Sequence, residues 1–561
     1  MTTNGESNIE FDSNAGHWEV IVRYVGDIAP IARELGAGLE ELGHGFAILS
    51  LTSGDISRLL EFRQVVSVER PRILTYSLYE SLREACVLSV QQGGVMGGRG
   101  VLVAVLDSGV DYTHPDFINM DGTTRIIYAW DQLSSSGLPP KGFSHGAEYS
   151  AQDLNAALAS ANPFGRIARL DDAGHGTAVA GAAVGNGRAS QGRQKGVAHE
   201  AALIVVRLGE RGRKSFARTT ELMRALRYVT DRAIGLGMPL CINISYGSND
   251  GPHDGSSLFT EYIDNISQEW KTSIIVATGN EGAAGHHYAG IIETREVRNV
   301  EVFFSSAQPR AYITIWKDFA DIMEFELISP TGKSSGRLSK AIPHVNVVLD
   351  NTRIIGLLSQ PTHYSLNHNI HYILEAVEGR LTEGLWVLRV SAQSITNGRF
   401  DMWLPTVEEV GYETFFANPD NEGTLTIPAS AASVVSVGAF DAALGSIANF
   451  SGRGFVSGGM FGGMRVKPDI VAPGVGVVAP SIGGGYDSVS GTSIAAPIVT
   501  GCAAVMMQWG IVDGNDPFLY GQRIKAFLRL GAQRTTGTAY PNNTWGYGRV
   551  CLSSTLDHLR K

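Results

Sequence analysis

Ser493 lies in the stretch Gly491-Thr492-Ser493-Ile494-Ala495-Ala496-Pro497, small residues that run straight into an apolar helical pattern. A serine at the first turn of a helix points its hydroxyl into open space near the positive end of the helix dipole. Its backbone N–H is then free to help hold an oxyanion. Pro497 is compatible with this if it falls early in the helix, where N–H groups lack partners. Alone, Gly-Thr-Ser before a helix is equally an ordinary N-cap. Nucleophilic chemistry needs a base, a group that orients the base, and an oxyanion donor.

Each has a candidate. The continuous apolar run Val101 to Leu106 has the pattern of a buried parallel strand and ends in Asp107-Ser108-Gly109. A carboxylate at the C-terminal end of such a strand lies where open α/β sheets place ligands, although one aspartate is also a plain turn residue. His175, flanked by Gly174 and Gly176, opens an Ala/Gly-rich helix and has both ring faces clear. Asn280 follows the apolar strand Ile275-Val276-Ala277. It either donates its amide to a developing oxyanion or occupies a left-handed turn position. His114 and His199 carry no such context and read as surface or satisfied core residues.

The order Asp, His, Ser is one of the orders known for serine hydrolase triads. With it stand Asp107-Ser108-Gly109, His175-Gly176-Thr177, Ser245-Tyr246-Gly247, Gly279-Asn280, the Ser493 motif and Lys467-Pro468-Asp469-Ile470-Val471-Ala472-Pro473-Gly474. Over most of residues 77–550 the chain resembles the subtilisin-like serine proteases, the subtilases. The resemblance implies an α/β fold, a parallel sheet flanked by helices. It also implies a mechanism in which His175 takes the Ser493 proton, Asp107 orients the imidazole, and Asn280 with the Ser493 N–H binds the oxyanion. Ser245, Tyr246 and Gly247, with Gly279, would line the substrate subsites as an edge strand that reads an extended peptide. The same strand also reads as plain core ending at a glycine turn.

The chain has 561 residues, 43% hydrophobic and 18% charged, enough for more than one ordinary domain. A net charge of -10 argues against a general nucleic-acid binder. No apolar run reaches membrane-span length, and the first residues lack the basic-then-apolar pattern of a signal peptide. Of the four cysteines, Cys241 and Cys502 sit in core-like runs, so buried thiols are expected rather than a disulfide framework. Cytoplasmic synthesis in a reducing compartment is the matching expectation. No cofactor is expected.

Four segments are expected. Residues 1–76 form a small α+β unit: strands near Trp18 to Tyr24, Gly45 to Leu51 and Val65 to Val68, with helices near Ile28 to Leu42 and Ile56 to Phe62. This alternation resembles the ferredoxin-like prodomain of subtilases, an inhibitor and folding chaperone. The resemblance places Arg72 to Tyr76 in the active-site groove, with cleavage between Tyr76 and Ser77; the other reading is an uncleaved accessory domain. Residues 77–294 and 411–561 carry the catalytic domain. Between them, 295–410 holds short β-rich runs separated by turns, read as an inserted β-sandwich or jelly roll.

A prodomain, no secretion signal and a β insert together resemble the clostridial Csp-like subtilases. These act in spore germination on the zymogen of a cortex-lytic enzyme, which implies a spore-associated protein. The implied partners are a protein or peptide substrate and the chain's own prodomain. In many secreted subtilases the loop after the histidine helix binds calcium; here Arg188, Arg193 and Lys195 in 185–195 argue against a hard dication, and no metal is expected. The glycines of 93–100 precede their strand, so they read as a flexible entry loop rather than a dinucleotide motif. His286-His287 reads as a solvated loop. The competing function is a catalytically silent subtilase-fold scaffold or sensor with its prodomain permanently bound.

Overall fold

A computed structural model describes residues 17–52, 55, 58, 59, 61–69, 78–93, 96–209, 217–360, 367–455 and 466–560. The chain divides into two compact units between Thr75 and Tyr76. Residues 56, 57 and 60 of the expected second helix, the tail 72–76 and Ser77 all fall outside the described residues.

The first unit is a four-stranded antiparallel sheet in the order Gly38–Gly43, Phe46–Thr52, His17–Tyr24, Val65–Glu69. That is the strand order of a ferredoxin-like fold. In Phe46–Thr52 the residues Ala47, Leu49 and Leu51 are buried, so every second side chain faces the core. The helix expected over residues 28–42 is only Ala29–Glu34. Gly36, at φ 61°, ends it, and Gly38–Gly43 becomes an outer strand paired with Phe46–Thr52.

The second unit is built on a nine-stranded sheet. Its central strand, Leu102–Asp107, lies between Ala202–Arg207 and Leu240–Ile244, parallel to both. Thr272–Ala277 pairs with Leu240–Ile244, and Val435–Asp441 joins beyond it, also in parallel. The catalytic sheet therefore resumes after the insert. Alternation along the strands sorts side chains between two cores. Val103, Val105, Cys241, Ile275 and Ala277 face the layer of helices His175–Val184 and Thr492–Met507. Leu102, Ala104, Leu106, Ile242 and Ile244 face the layer of Thr219–Leu236 and Leu258–Ile266. The parity continues to the strand ends, so Asp107 and Ser245 project toward the first layer.

The stretch Thr492–Val512 is long and apolar enough to cross a membrane by length and composition, which the sequence reading missed. Here 89% of its most apolar window is buried, as suits a central core helix.

The insert is a β-sandwich of a six-stranded and a five-stranded sheet around one apolar core that includes Phe304, Phe325, Trp386 and Phe400. Strands His287–Ile291 and Phe415–Phe416, on either side of 295–410, pair into these sheets.

Cys241 and Cys502 are buried and free, as expected, whereas Cys86 and Cys551 form a disulfide that the sequence reading did not anticipate. Of the glycine-rich entry, residues 96–98 are buried rather than loose, and the Gly98 N–H donates to Gln508 Oε1 at 2.7 Å.

Candidate active site

Asp107 closes the central strand, fully buried. Its Oδ1 accepts from the Ser108 N–H and from His175 Nδ1, each at 2.7 Å. His175 is the first residue of its helix, and that helix start is held by Asp171, which is also buried. Asp171 accepts from the Ala173, Gly174 and Thr177 N–H groups and from the Ser108 and Thr177 hydroxyls. Sequence reading passed over this residue, although an aspartate just before a helical run is a capping signal. Gly176 permits the close approach: a Cβ there would lie 2.0 Å from the Gly109 carbonyl oxygen.

The imidazole is raised to about 9, chiefly by the Asp107 charge, against the opposing effect of burial. The Asp107 hydrogen bond, Asp171 and Glu408 push the same way. The side chain is nonetheless 43% exposed, so solvent moderates the effect.

Ser493 is the second residue of the helix Thr492–Met507. Pro497 lies one turn further in than expected, so it removes the N–H that would bond the Ser493 carbonyl. That carbonyl instead accepts from the Ser245 hydroxyl at 2.9 Å. Ser245 accepts in turn from Asn243 Nδ2 at 2.9 Å, and Asn243 Oδ1 accepts from the Thr500 hydroxyl at 2.9 Å. The start of the serine helix is thus tied to the end of strand Leu240–Ile244.

Asn280 is oriented by its own oxygen, which accepts from the Thr492 N–H at 3.0 Å and the Thr492 hydroxyl at 3.2 Å. Its Nδ2 is left to donate toward the cavity. The left-handed turn position belongs to Gly279, at φ 87°, rather than to Asn280. Asn280 Nδ2 donates to Glu408 Oε1 at 3.1 Å.

His175, Ser493, Asn280 and Glu408 share a cavity of about 350 Å³ with Tyr246 and Thr426. Its walls bring together all the expected substrate-binding residues: Ser245, Tyr246, Gly247 and Gly279. Tyr246 meets the His175 ring edge-on, with centroids 6.4 Å apart. Thr426 explains two of the glycines, because a Cβ on Gly247 or Gly279 would come within 2.2 or 2.4 Å of its side chain. Thr426 and Glu408 carry no local sequence signal; each reaches the cavity only through the fold. A second cavity, lined among others by Ile482 and Ala178, also meets His175 and Ser493.

Beside the loop after the histidine helix, backbone oxygens at the helix end and on neighbouring segments are taken by a side chain of this protein. The buried Arg125 guanidinium donates to the carbonyls of Asp116, Val184 and Ala201. The Asp116 carboxylate accepts from the Ala189 N–H at 2.9 Å and the Tyr486 hydroxyl at 2.8 Å. Oxygens already engaged by a resident cation do not fit a dication.

His286 and His287 are buried, not solvated. His286 Nδ1 lies 2.7 Å from Glu281 Oε2, and His287 Nε2 lies 3.1 Å from Asp401 Oδ1. The strand His287–Ile291 carries them into the seam with the insert, where Trp403 stacks against His287 and His253. His114 is buried and satisfied, with Nε2 against the Gly485 carbonyl and Nδ1 accepting from the Asp116 N–H. Among the described residues no cluster of three metal-ligating side chains occurs.

Residues 98–311 and 361–548 match the subtilase family, and residues 2–72 match the Csp protease B prodomain. The solved structure of the Clostridium perfringens CspB protease superposes with a TM-score of 0.79 at 35% identity, covering 86% of this chain and 98% of that one. The PII-type proteinase of Lactococcus lactis subsp. cremoris is 22% identical over 553 residues, covering 89% of this chain. The membrane-bound transcription factor site-1 protease of Mus musculus is 43% identical over 86 residues, 15% of this chain. The chain spans only 27% and 8% of the lengths of those two relatives. A carboxylate, an imidazole and a helix-borne serine arrayed on this sheet, with family matches over most of the chain, lead to one conclusion: the chain belongs to the subtilase family of subtilisin-like serine proteases, with a prodomain of the Csp protease B type.

Proposed function

We propose that this chain is an endopeptidase of processing type, cutting a protein zymogen at a few sites rather than degrading protein broadly. The observation that carries the reading is the 2.7 Å contact of His175 Nδ1 with Asp107 Oδ1 in the cavity that also holds Ser493 and Asn280. His175 is the base that takes the Ser493 Oγ proton as the hydroxyl attacks the scissile carbonyl, and the acid that protonates the leaving amine. Asp107 holds the imidazole in the right tautomer and stabilises its charged form. Asn280 and the Ser493 N–H receive the oxyanion.

The first substrate in this reading is the chain itself, cut between Tyr76 and Ser77, with Tyr76 in the S1 subsite and Ile73 in S4. The likeness to a CspB protease supports a spore cortex-lytic zymogen as the physiological substrate, cytoplasmic synthesis and a spore-associated site of action. Labelling with a fluorophosphonate, with Ser493→Ala as control, tests the chemistry. N-terminal sequencing of the purified protein tests the cleavage; a mature start far from Ser77, or none, would overturn it.

A further inference from the structure

The acceptor on Asn280 is supplied by the inserted domain. Glu408 lies on the short helix Val407–Val410, where the insert returns to the catalytic sheet. The flanking positions of that helix have structural partners. Glu409 accepts from the Thr406 N–H and hydroxyl, and the Val407 N–H donates to Glu281 Oε1 at 3.0 Å. Glu281 follows Asn280 in the chain and is buried against His286. The helix is therefore pinned to the very loop that carries Asn280. Glu408 is its exposed residue, and its carboxylate stands 3.1 Å from the Asn280 amide nitrogen, on the cavity wall.

This placement opposes the reaction twice. An oxyanion bonded to the same Nδ2 would form within a few ångströms of a fixed negative charge, which raises the barrier. The same charge favours the protonated His175, which cannot act as base. Both penalties vanish when a positive group sits beside Glu408. Among the described residues, the arginine on that wall does not serve: Arg218 is engaged by Glu221, with Nη2 2.8 Å from Oε1.

We infer that Glu408 is a specificity-determining residue that selects substrates placing a lysine or arginine side chain beside the scissile bond. The substrate cation pairs with the Glu408 carboxylate, draws it off Asn280 Nδ2 and leaves that N–H for the oxyanion. Neutral substrates presented as separate molecules meet the carboxylate in place and react slowly. The chain's own Tyr76–Ser77 bond is flanked by Thr75 and Leu78 and so has no neighbouring cation. It is cut in this reading because its tether raises its effective concentration at Ser493. The insert thereby sets substrate choice in the catalytic cavity.

This inference rests on the proteolytic reading, and the test separates the two. Internally quenched peptides carry lysine or its neutral isostere norleucine at each of the two positions on either side of the scissile bond. The full chain and Glu408→Gln are compared, with diisopropyl fluorophosphate as a neutral probe of Ser493. The native protein is expected to favour lysine at one position by on the order of tenfold or more in kcat/KM, falling toward unity in Glu408→Gln. In Glu408→Gln, Ser493 should also be phosphorylated faster by the probe, and the acid limb should move to lower pH. A native protein that the probe does not label would overturn the proteolytic reading itself. Labelling with a lysine preference unchanged by Glu408→Gln, or a Glu408→Gln slower on every substrate, would overturn the role of Glu408 alone.

Discussion

The Ser245 hydroxyl donates to the Ser493 carbonyl at 2.9 Å, and Pro497, four residues on, is the reason that carbonyl is available. An ordinary helix would close the bond internally; here the helix start is held from the neighbouring strand. Ser245→Ala should cost about 1 kcal/mol in stability and lower kcat roughly tenfold by loosening the nucleophile. Pro497→Ala restores an N–H at the right spacing, so the double variant should recover part of the stability. Thermal melts and active-site-titrated hydrolysis read both. Unchanged kcat in Ser245→Ala would separate this anchor from catalysis.

Asn280 has its oxygen locked by Thr492, so its nitrogen is oriented before substrate arrives. Asn280→Ala should keep the fold and lose ~10²–10³ in kcat, a magnitude borrowed from the equivalent removal in subtilisin. Asn280→Asp should be slower still, because it presents an acceptor to the oxyanion. Hydrolysis of a small ester by either variant at the native rate would remove Asn280 from the oxyanion site.

The raised His175 has a definite sign. Only the neutral imidazole accepts the Ser493 proton, so activity should climb as pH rises toward and through about 9. For stability the direction reverses: binding a proton more tightly when folded, His175 contributes fully below the ordinary histidine pKa of about 6.5 and loses that contribution as pH passes 9. Asp107→Asn removes the largest cause and should lower both the acid limb and, by about 10⁴, kcat. The pH profile of fluorophosphonate inactivation measures the limb directly. A limb below 6 in the native protein would contradict the arrangement.

Arg125 takes three carbonyls with one buried guanidinium. Arg125→Met should cost about 3 kcal/mol or more, since the charge-assisted bonds go and their acceptors stay buried. Chelators should leave the native melting temperature unchanged. A chelator-induced drop traced to these carbonyls would show that the guanidinium does not replace a dication.

The site was legible in sequence where chemistry and chain direction coincide. Asp107 ends an apolar run, and parity along that run aims it at the histidine helix; His175, Asn280 and Ser493 stand at equally marked strand ends and helix starts. The insert was legible as β structure because its runs alternate. Illegible features depend on distant chain segments. Glu408 meets Asn280 across 128 positions. His286 and His287 look polar and loop-like, yet Glu281 and Asp401 let them be buried. The run 28–42 keeps helical spacing past Gly36, and only pairing with Phe46–Thr52 turns its second half into a strand.

The disulfide Cys86–Cys551 joins residues 465 positions apart, a distance over which no local pattern signals pairing. Beside it the Leu552 N–H donates to the Ala85 carbonyl at 2.9 Å, and Ala85, Val87 and Leu552 are buried in one core. The fold therefore holds the two cysteines in register without the covalent bond. Two thiols of four should react in denatured, unreduced protein, Cys241 and Cys502, and all four after reduction. Cys86→Ser should cost about 2–4 kcal/mol by freeing a long loop in the unfolded chain, yet leave kcat close to native because neither cysteine lines the catalytic cavity. Four reactive thiols before reduction would place the protein in its reduced form. In that case the hydrogen bond and apolar contacts around Ala85 hold the two segments together, and Cys86→Ser should leave the melting temperature unchanged.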